Sequence, residues 1–149
     1  MIMMADLVSE DRIRIFDRDD KTTILSEMSR LLSRANAVGD PVELERAVFE
    51  REAMLSTGIG LGIAIPHVCL ASVSALCMAI GIVREGVDFK SFDDRPVTII
   101  IMIAAPEGSH REYLGLLAKL VLILKNPAIR ERILKAETPA DVYEIFKAN

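Results

Sequence analysis

Apolar positions along this chain recur with two periods. Arg12-Ile13-Arg14-Ile15-Phe16 alternates polar and apolar, the mark of a half-buried strand. Behind Asp19-Asp20, residues Ile24, Leu25, Met28, Leu31, Leu32 and Ala35 recur at helical spacing, and Gly39 is the expected stop. Asp40-Pro41-Val42-Glu43 carries helix-start chemistry. Asp caps free N–H groups, Pro suits the first turn, and Glu43 can reach back in a capping box. This second helix is expected to run to about Leu55, with Leu44, Val48 and Leu55 facing inward. Arg51 falls on the same stripe, a charge where an apolar residue is expected. Burying a guanidinium costs about several kcal/mol without a partner. Arg51 therefore faces an anion or a carboxylate, or else it snorkels to solvent or pairs with a neighbouring Glu.

The stretch Gly58-Ile59-Gly60-Leu61-Gly62-Ile63-Ala64-Ile65-Pro66-His67 has no parallel elsewhere in the chain. Its alternating glycines predict a tight, close-packed loop, and Ile63-Ala64-Ile65 a short buried strand. Pro66 has no N–H for a ladder, so it is expected to end that strand and leave His67 just past the sheet rim. Residues 76–83 and 97–104 are near-continuous runs of branched apolar residues, as in strands covered on both faces. Residues 84–95 make a polar connection between them.

Pro106-Glu107-Gly108-Ser109 reads as a turn, with Ser109 and Glu112 at capping-box spacing and His110 at the first helical position. The helix that follows is apolar on most sides, at Leu114, Leu117, Ala118, Leu120, Val121 and Leu124, and is expected to be central. Asn126-Pro127 and Thr138-Pro139-Ala140-Asp141 start a fourth helix (Ile129, Ile133 and Leu134 inward) and a fifth (Val142, Ile145 and Phe146 inward). Residues 1–9 read as a loose lead-in. The order of elements predicts an α/β domain, with about five helices on both faces of a mixed sheet of about four to five strands. The chain's 149 residues suit one domain spanning 1–149.

Composition removes several functions. Net charge is −4 and aromatics are 5%, which argues against nucleic acid, since phosphate contacts need clustered Lys and Arg and base stacking needs rings. No apolar run reads as a membrane span and no secretory leader is visible, so a cytoplasmic location is expected. Cys69 and Cys77 show no CxxC or metal spacing and read as two buried thiols. Neither a metal nor another cofactor is expected. The glycines are spaced G-x-G-x-G and lead into a strand, which fits neither a dinucleotide fingerprint nor a P-loop.

The chemistry then narrows to the chain's two histidines, His67 and His110, each of which follows a predicted strand. If those strands run parallel, both imidazoles share one rim with a helix N-terminus, joined by Arg51 where it faces an anion, which makes a small anion site. A Cys69–His67 nucleophile is weaker, because no third orienting group is evident.

These residues carry a resemblance. Arg51, Ser56-Thr57-Gly58-Ile59-Gly60 and Ile63-Ala64-Ile65-Pro66-His67 resemble the fructose/mannitol/nitrogen-type enzyme IIA family of the bacterial phosphoenolpyruvate-dependent phosphotransferase system. The likeness continues through Ala105-Pro106, His110, Tyr113-Leu114 and Leu117-Ala118-Lys119-Leu120. It implies a three-layer α/β/α domain and a phosphotransferase component. His67 would accept a phosphoryl group from the histidine-containing phosphocarrier protein, and His110 and Arg51 would bind the phosphate.

In the absence of a fused membrane domain, the stand-alone nitrogen-regulatory type is expected. The alternatives are a sugar-specific enzyme IIA serving a separate enzyme IIB or permease subunit, and a non-catalytic module that docks to a transporter or kinase. The chain departs from the family where Leu61 replaces a common polar residue, and where apolar Val68-Cys69-Leu70 replaces a common basic one. An apolar rim at Leu61, Val68 and Leu70 would suit a protein partner, or these residues are buried.

Overall fold

The computed structural model describes residues 3–54 and 56–149. Their strands are β1 (Ile13–Phe16), β2 (Gly58–Gly60), β3 (Ile63–Ala64), β4 (His67–Leu70), β5 (Cys77–Val87) and β6 (Val97–Pro106). The α-helices are α1 (Lys21–Leu32), α2 (Pro41–Met54), α3 (His110–Leu124), α4 (Pro127–Lys135) and α5 (Pro139–Ala148). One mixed sheet has the order β1-β5-β6-β3-β2, and β4 also pairs with β6. This is the expected three-layer α/β/α arrangement, with one strand more than the apolar runs suggested.

The sheet's centre makes two cores out of one alternation. Ala79, Val83, Ile100 and Met102 face α1 and α2, whereas Met78, Ile80, Ile82, Ile99 and Ile101 face α3, α4 and α5. Each strand's side chains point to opposite faces in turn, so an unbroken apolar run serves both layers. Several expected helix starts are present. Asp20 accepts from Thr23 N at 2.7 Å, Asn126 from Ala128 N at 2.9 Å, and Thr138 and Asp141 form a complete capping box.

Other expectations are corrected. Residues 3–9 are not loose: they include a 3-10 turn, Met4–Asp6, with Met4 and Val8 buried against the α5 side of the sheet. Helix α1 ends at Leu32 rather than near Gly39, and Gly39 N instead donates to Ser72 O. Asp40 caps Glu43 N at 3.0 Å, but the Glu43 carboxylate accepts from Ser72 Oγ rather than reaching back. Ser109 makes no side-chain cap, because its hydroxyl donates to Pro106 O at 2.6 Å. Helix α3 is not central. It buries Tyr113, Leu116, Leu120, Ile123 and Leu124 against the sheet and leaves Leu114, Val121 and Leu122 exposed. The inward position expected for Leu55 lies outside the described residues.

Candidate functional site

The glycine stretch folds as a hairpin. β2 and β3 pair antiparallel through a turn at Leu61-Gly62. Gly60 and Gly62 have φ of +91° and +77°, where a Cβ is disfavoured. Leu61 adopts φ +59° without being glycine, and its N–H donates to Asp93 Oδ2 at 3.1 Å. A Cβ on Gly58 would lie 2.0 Å from Ser91 Oγ, so the hairpin and the 88–96 loop fit only because Gly58 has none. The hairpin is also tied to α2. Glu52, buried on that helix, accepts from Thr57 N at 2.8 Å and Thr57 Oγ1 at 2.5 Å, and Lys21 Nζ lies 3.4 Å away. Ile65 N closes the far side onto Thr57 O at 3.0 Å.

Pro66 does not end the sheet. Ala64 pairs with Ile100 and His67 with Ile103, so the chain crosses Ile65-Pro66 without losing register along β6. Pro66 needs no ladder donor there, because its carbonyl accepts from Ile103 N at 2.9 Å. His67 therefore opens β4 instead of standing past a rim. β3, β4 and β6 run parallel, as a shared placement of the two histidines required. The thiols differ from expectation: Cys77 is buried, but Cys69 is exposed. It lies two residues along β4 from His67, hence on the same strand face.

His67 is half-buried. Its Nδ1 lies 3.1 Å from Ile65 O, and a carbonyl can only accept, so Nδ1 carries the proton and Nε2 keeps the lone pair. Burial lowers the imidazole pKa below its ordinary 6.5; the Ile65 hydrogen bond opposes this, and the Arg51 charge adds to it. The neutral, nucleophilic form is thus favoured. Tyr113 stacks on the ring at a centroid distance of 4.7 Å and an interplanar angle of 26°. His110, exposed at the start of α3, lies 6.4 Å from the same tyrosine ring. Tyr113 thus stands next to both histidines.

A cleft of about 400 Å³ holds the expected Arg51 and His67 together, with Thr57, Gly58, Phe92 and Tyr113 among its walls. His110 flanks this cleft by way of Tyr113. The Arg51 guanidinium can stabilise a bound oxyanion, as can N–H groups at a helix start, while the neutral His67 ring offers its Nε2 lone pair to an electrophile. A cleft of about 500 Å³ between α4 and α5 contains neither histidine. Of the three apolar positions near His67, Val68 is buried and Leu70 packs against the core, so only Leu61 is exposed.

Sequence reasoning missed Glu52 and Phe92, and it gave Thr57 and Tyr113 no role beyond carrying the resemblance. For Glu52 a signal existed. The buried face of α2 holds Leu44, Val48 and Glu52, at i, i+4 and i+8, so the charge buried on that face is Glu52, while Arg51 is only partly buried. Periodicity gave Tyr113 no such signal, because a tyrosine among leucines reads as core.

Comparisons with known proteins bear on this geometry. The family model described as "Phosphoenolpyruvate-dependent sugar phosphotransferase system, EIIA 2" matches residues 6–149. The fructose-specific EIIABC component of Bacillus subtilis is 34% identical over 96% of this chain, which spans only 23% of that protein. The nitrogen regulatory protein of Pseudomonas aeruginosa is 30% identical over 84% of this chain and 81% of its own length. The crystal structure of nitrogen regulatory protein IIA-Ntr from Neisseria meningitidis superimposes with a TM-score of 0.87 at 29% identity, covering 95% of this chain and 97% of the other. On a match that takes in nearly all of its residues, the chain belongs to the EIIA 2 family of the phosphoenolpyruvate-dependent sugar phosphotransferase system.

Proposed function

We propose that this protein is a phosphoryl carrier that holds its phosphoryl group on Nε2 of His67. The observation that carries this reading is the Ile65 carbonyl tether. It leaves the lone pair on Nε2 of a ring that shares its cleft with Arg51. The donor is the phosphohistidine of the histidine-containing phosphocarrier protein. As the lone pair attacks phosphorus, the donor's P–N bond breaks and its electron pair returns to the donor ring. Nδ1 keeps its proton on Ile65 O, so no base is needed. Charge spread over the phosphoryl oxygens is met by Arg51 and by the N–H groups at the start of α3 beside His110. No metal or cofactor takes part. Transfer onward restores the neutral ring.

The likeness to nitrogen regulatory proteins over most of both chains supports the regulatory type, in which phosphorylation state governs a transporter or kinase. The identity to a fructose-specific protein favours a second reading, transfer to an enzyme IIB. Both readings place the carrier in the cytoplasm, where phosphoenolpyruvate is available.

The test incubates the protein with phosphoenolpyruvate, the first enzyme of the system and the phosphocarrier protein. Acid-labile phosphate is expected on wild type and none on His67→Ala. An unlabelled wild type, or label retained by the variant, overturns the proposal. Adding a fructose-type enzyme IIB separates the two types, since rapid loss of label to it supports the sugar-specific reading. A partner that binds wild type and His67→Asp equally would instead favour a docking module without a phosphorylation switch.

A further inference from the structure

We infer that Tyr113 is the positioning residue of this site: its ring braces one face of the His67 imidazole, fixing where Nε2 points and shielding the group bound there. The inference rests on the carrier reading above. Tyr113 lies three residues after His110 on α3, a spacing of nearly one turn. Its side chain is buried, at 5% exposure, while His110 is exposed. The stack at 4.7 Å and 26° is close and nearly parallel.

The physical need is specific. A hydrogen bond from Nδ1 to Ile65 O anchors one corner of the imidazole but leaves the ring free to rock about that line. A flat neighbour on one face removes the rocking, and small errors in aim are costly when the reacting atoms must lie in line. The same contact keeps water off that face. It therefore favours the neutral ring before transfer and slows attack by water on the phosphoramidate afterwards. In the bound state His67 Nε2 keeps its bond to phosphorus until a partner's nucleophile displaces it, with Tyr113 neither gaining nor losing a proton.

Two variants separate ring from hydroxyl. Tyr113→Phe keeps the stack and should transfer phosphate within about twofold of wild type. Tyr113→Leu removes the stack. Its transfer rate should fall about tenfold, the acid limb of its pH–rate profile should move up towards 6.5, and its phosphohistidine should hydrolyse several-fold faster. Tyr113→Met serves the same purpose if the leucine variant folds poorly.

Imidazole NMR on the unphosphorylated wild type reads the stack directly. The His67 ring protons should be shifted upfield by the tyrosine ring current, and the shift should be lost in Tyr113→Leu. Absence of that shift in wild type overturns the inference, and so does a leucine variant with unchanged titration, rate and hydrolysis. Because the NMR measurement needs no phosphate donor, failure of wild type to accept phosphate would count against the carrier reading and leave the stack to be judged on its own.

Discussion

The two histidines stand near one tyrosine ring, and the regions that hold them could hardly be built more differently. His67 opens a strand pinned along β6. It is half-buried, tethered by Ile65 O and stacked on Tyr113. His110 starts α3, exposed and 6.4 Å from the same ring. The difference teaches what each region is suited to do. A group that forms and breaks a covalent bond needs fixed aim and a controlled protonation state, and the sheet supplies both. A group that only attracts charge can stand at a helix start, where unpaired N–H groups already favour anions.

The strongest way to break this contrast is to remove each imidazole. His67→Ala should abolish covalent labelling altogether, whereas His110→Ala should still take phosphate on His67, slowed by about 10-fold for the loss of one stabilising group. Equal loss in a labelling assay would erase the distinction. Arg51→Ala should lie between them, slower on the order of 10²-fold, because a guanidinium in the cleft meets developing charge more directly.

Stability sharpens the same contrast. Glu52→Ala leaves Thr57 N, Thr57 Oγ1 and Lys21 without their shared acceptor and should cost about 3 kcal/mol in a urea titration. His110→Gln, at an exposed position, should stay within about 0.5 kcal/mol of wild type.

The smallest effect is on pH dependence. The folded pKa of His67 is lowered, so below about 6.5 the unfolded chain binds a proton that the folded chain resists. Its contribution to stability is complete above 6.5 and declines as pH falls below it. His67→Gln should flatten that decline in chemical denaturation measured across pH 5 to 8. An unchanged slope would mean that the imidazole is no more shielded folded than unfolded.

Much of the fold was legible because local chemistry and global structure agree. Asp20, Asn126 and Thr138 announce helix starts that the structure contains, and the branched runs mark β5 and β6. The capping boxes expected at Glu43 and Ser109 failed where a partner outside the motif competed, Ser72 for Glu43 and the Pro106 carbonyl for Ser109. Spacing names the groups that can reach one another within a helix turn and is silent about rivals brought in by the fold. The candidate site was legible as a residue set, since Gly60, Gly62, Pro66 and the two histidines each narrow the backbone or the chemistry. Pro66 misled only in suggesting an end to the strand, because whether a missing N–H matters depends on which side the next strand lies.

The sequence by itself determined the element types, the helix boundaries set by caps, and the candidacy of His67, His110 and Arg51. Those follow from period, backbone preference and ionisable groups, all of which are local. Only the tertiary structure decided that Glu52 is the charge buried on α2, that β4 continues the register of β3, and that Tyr113 stacks on His67. Those depend on contacts between segments up to 46 residues apart, from His67 to Tyr113, where the winner is set by packing and desolvation that no short window of sequence contains.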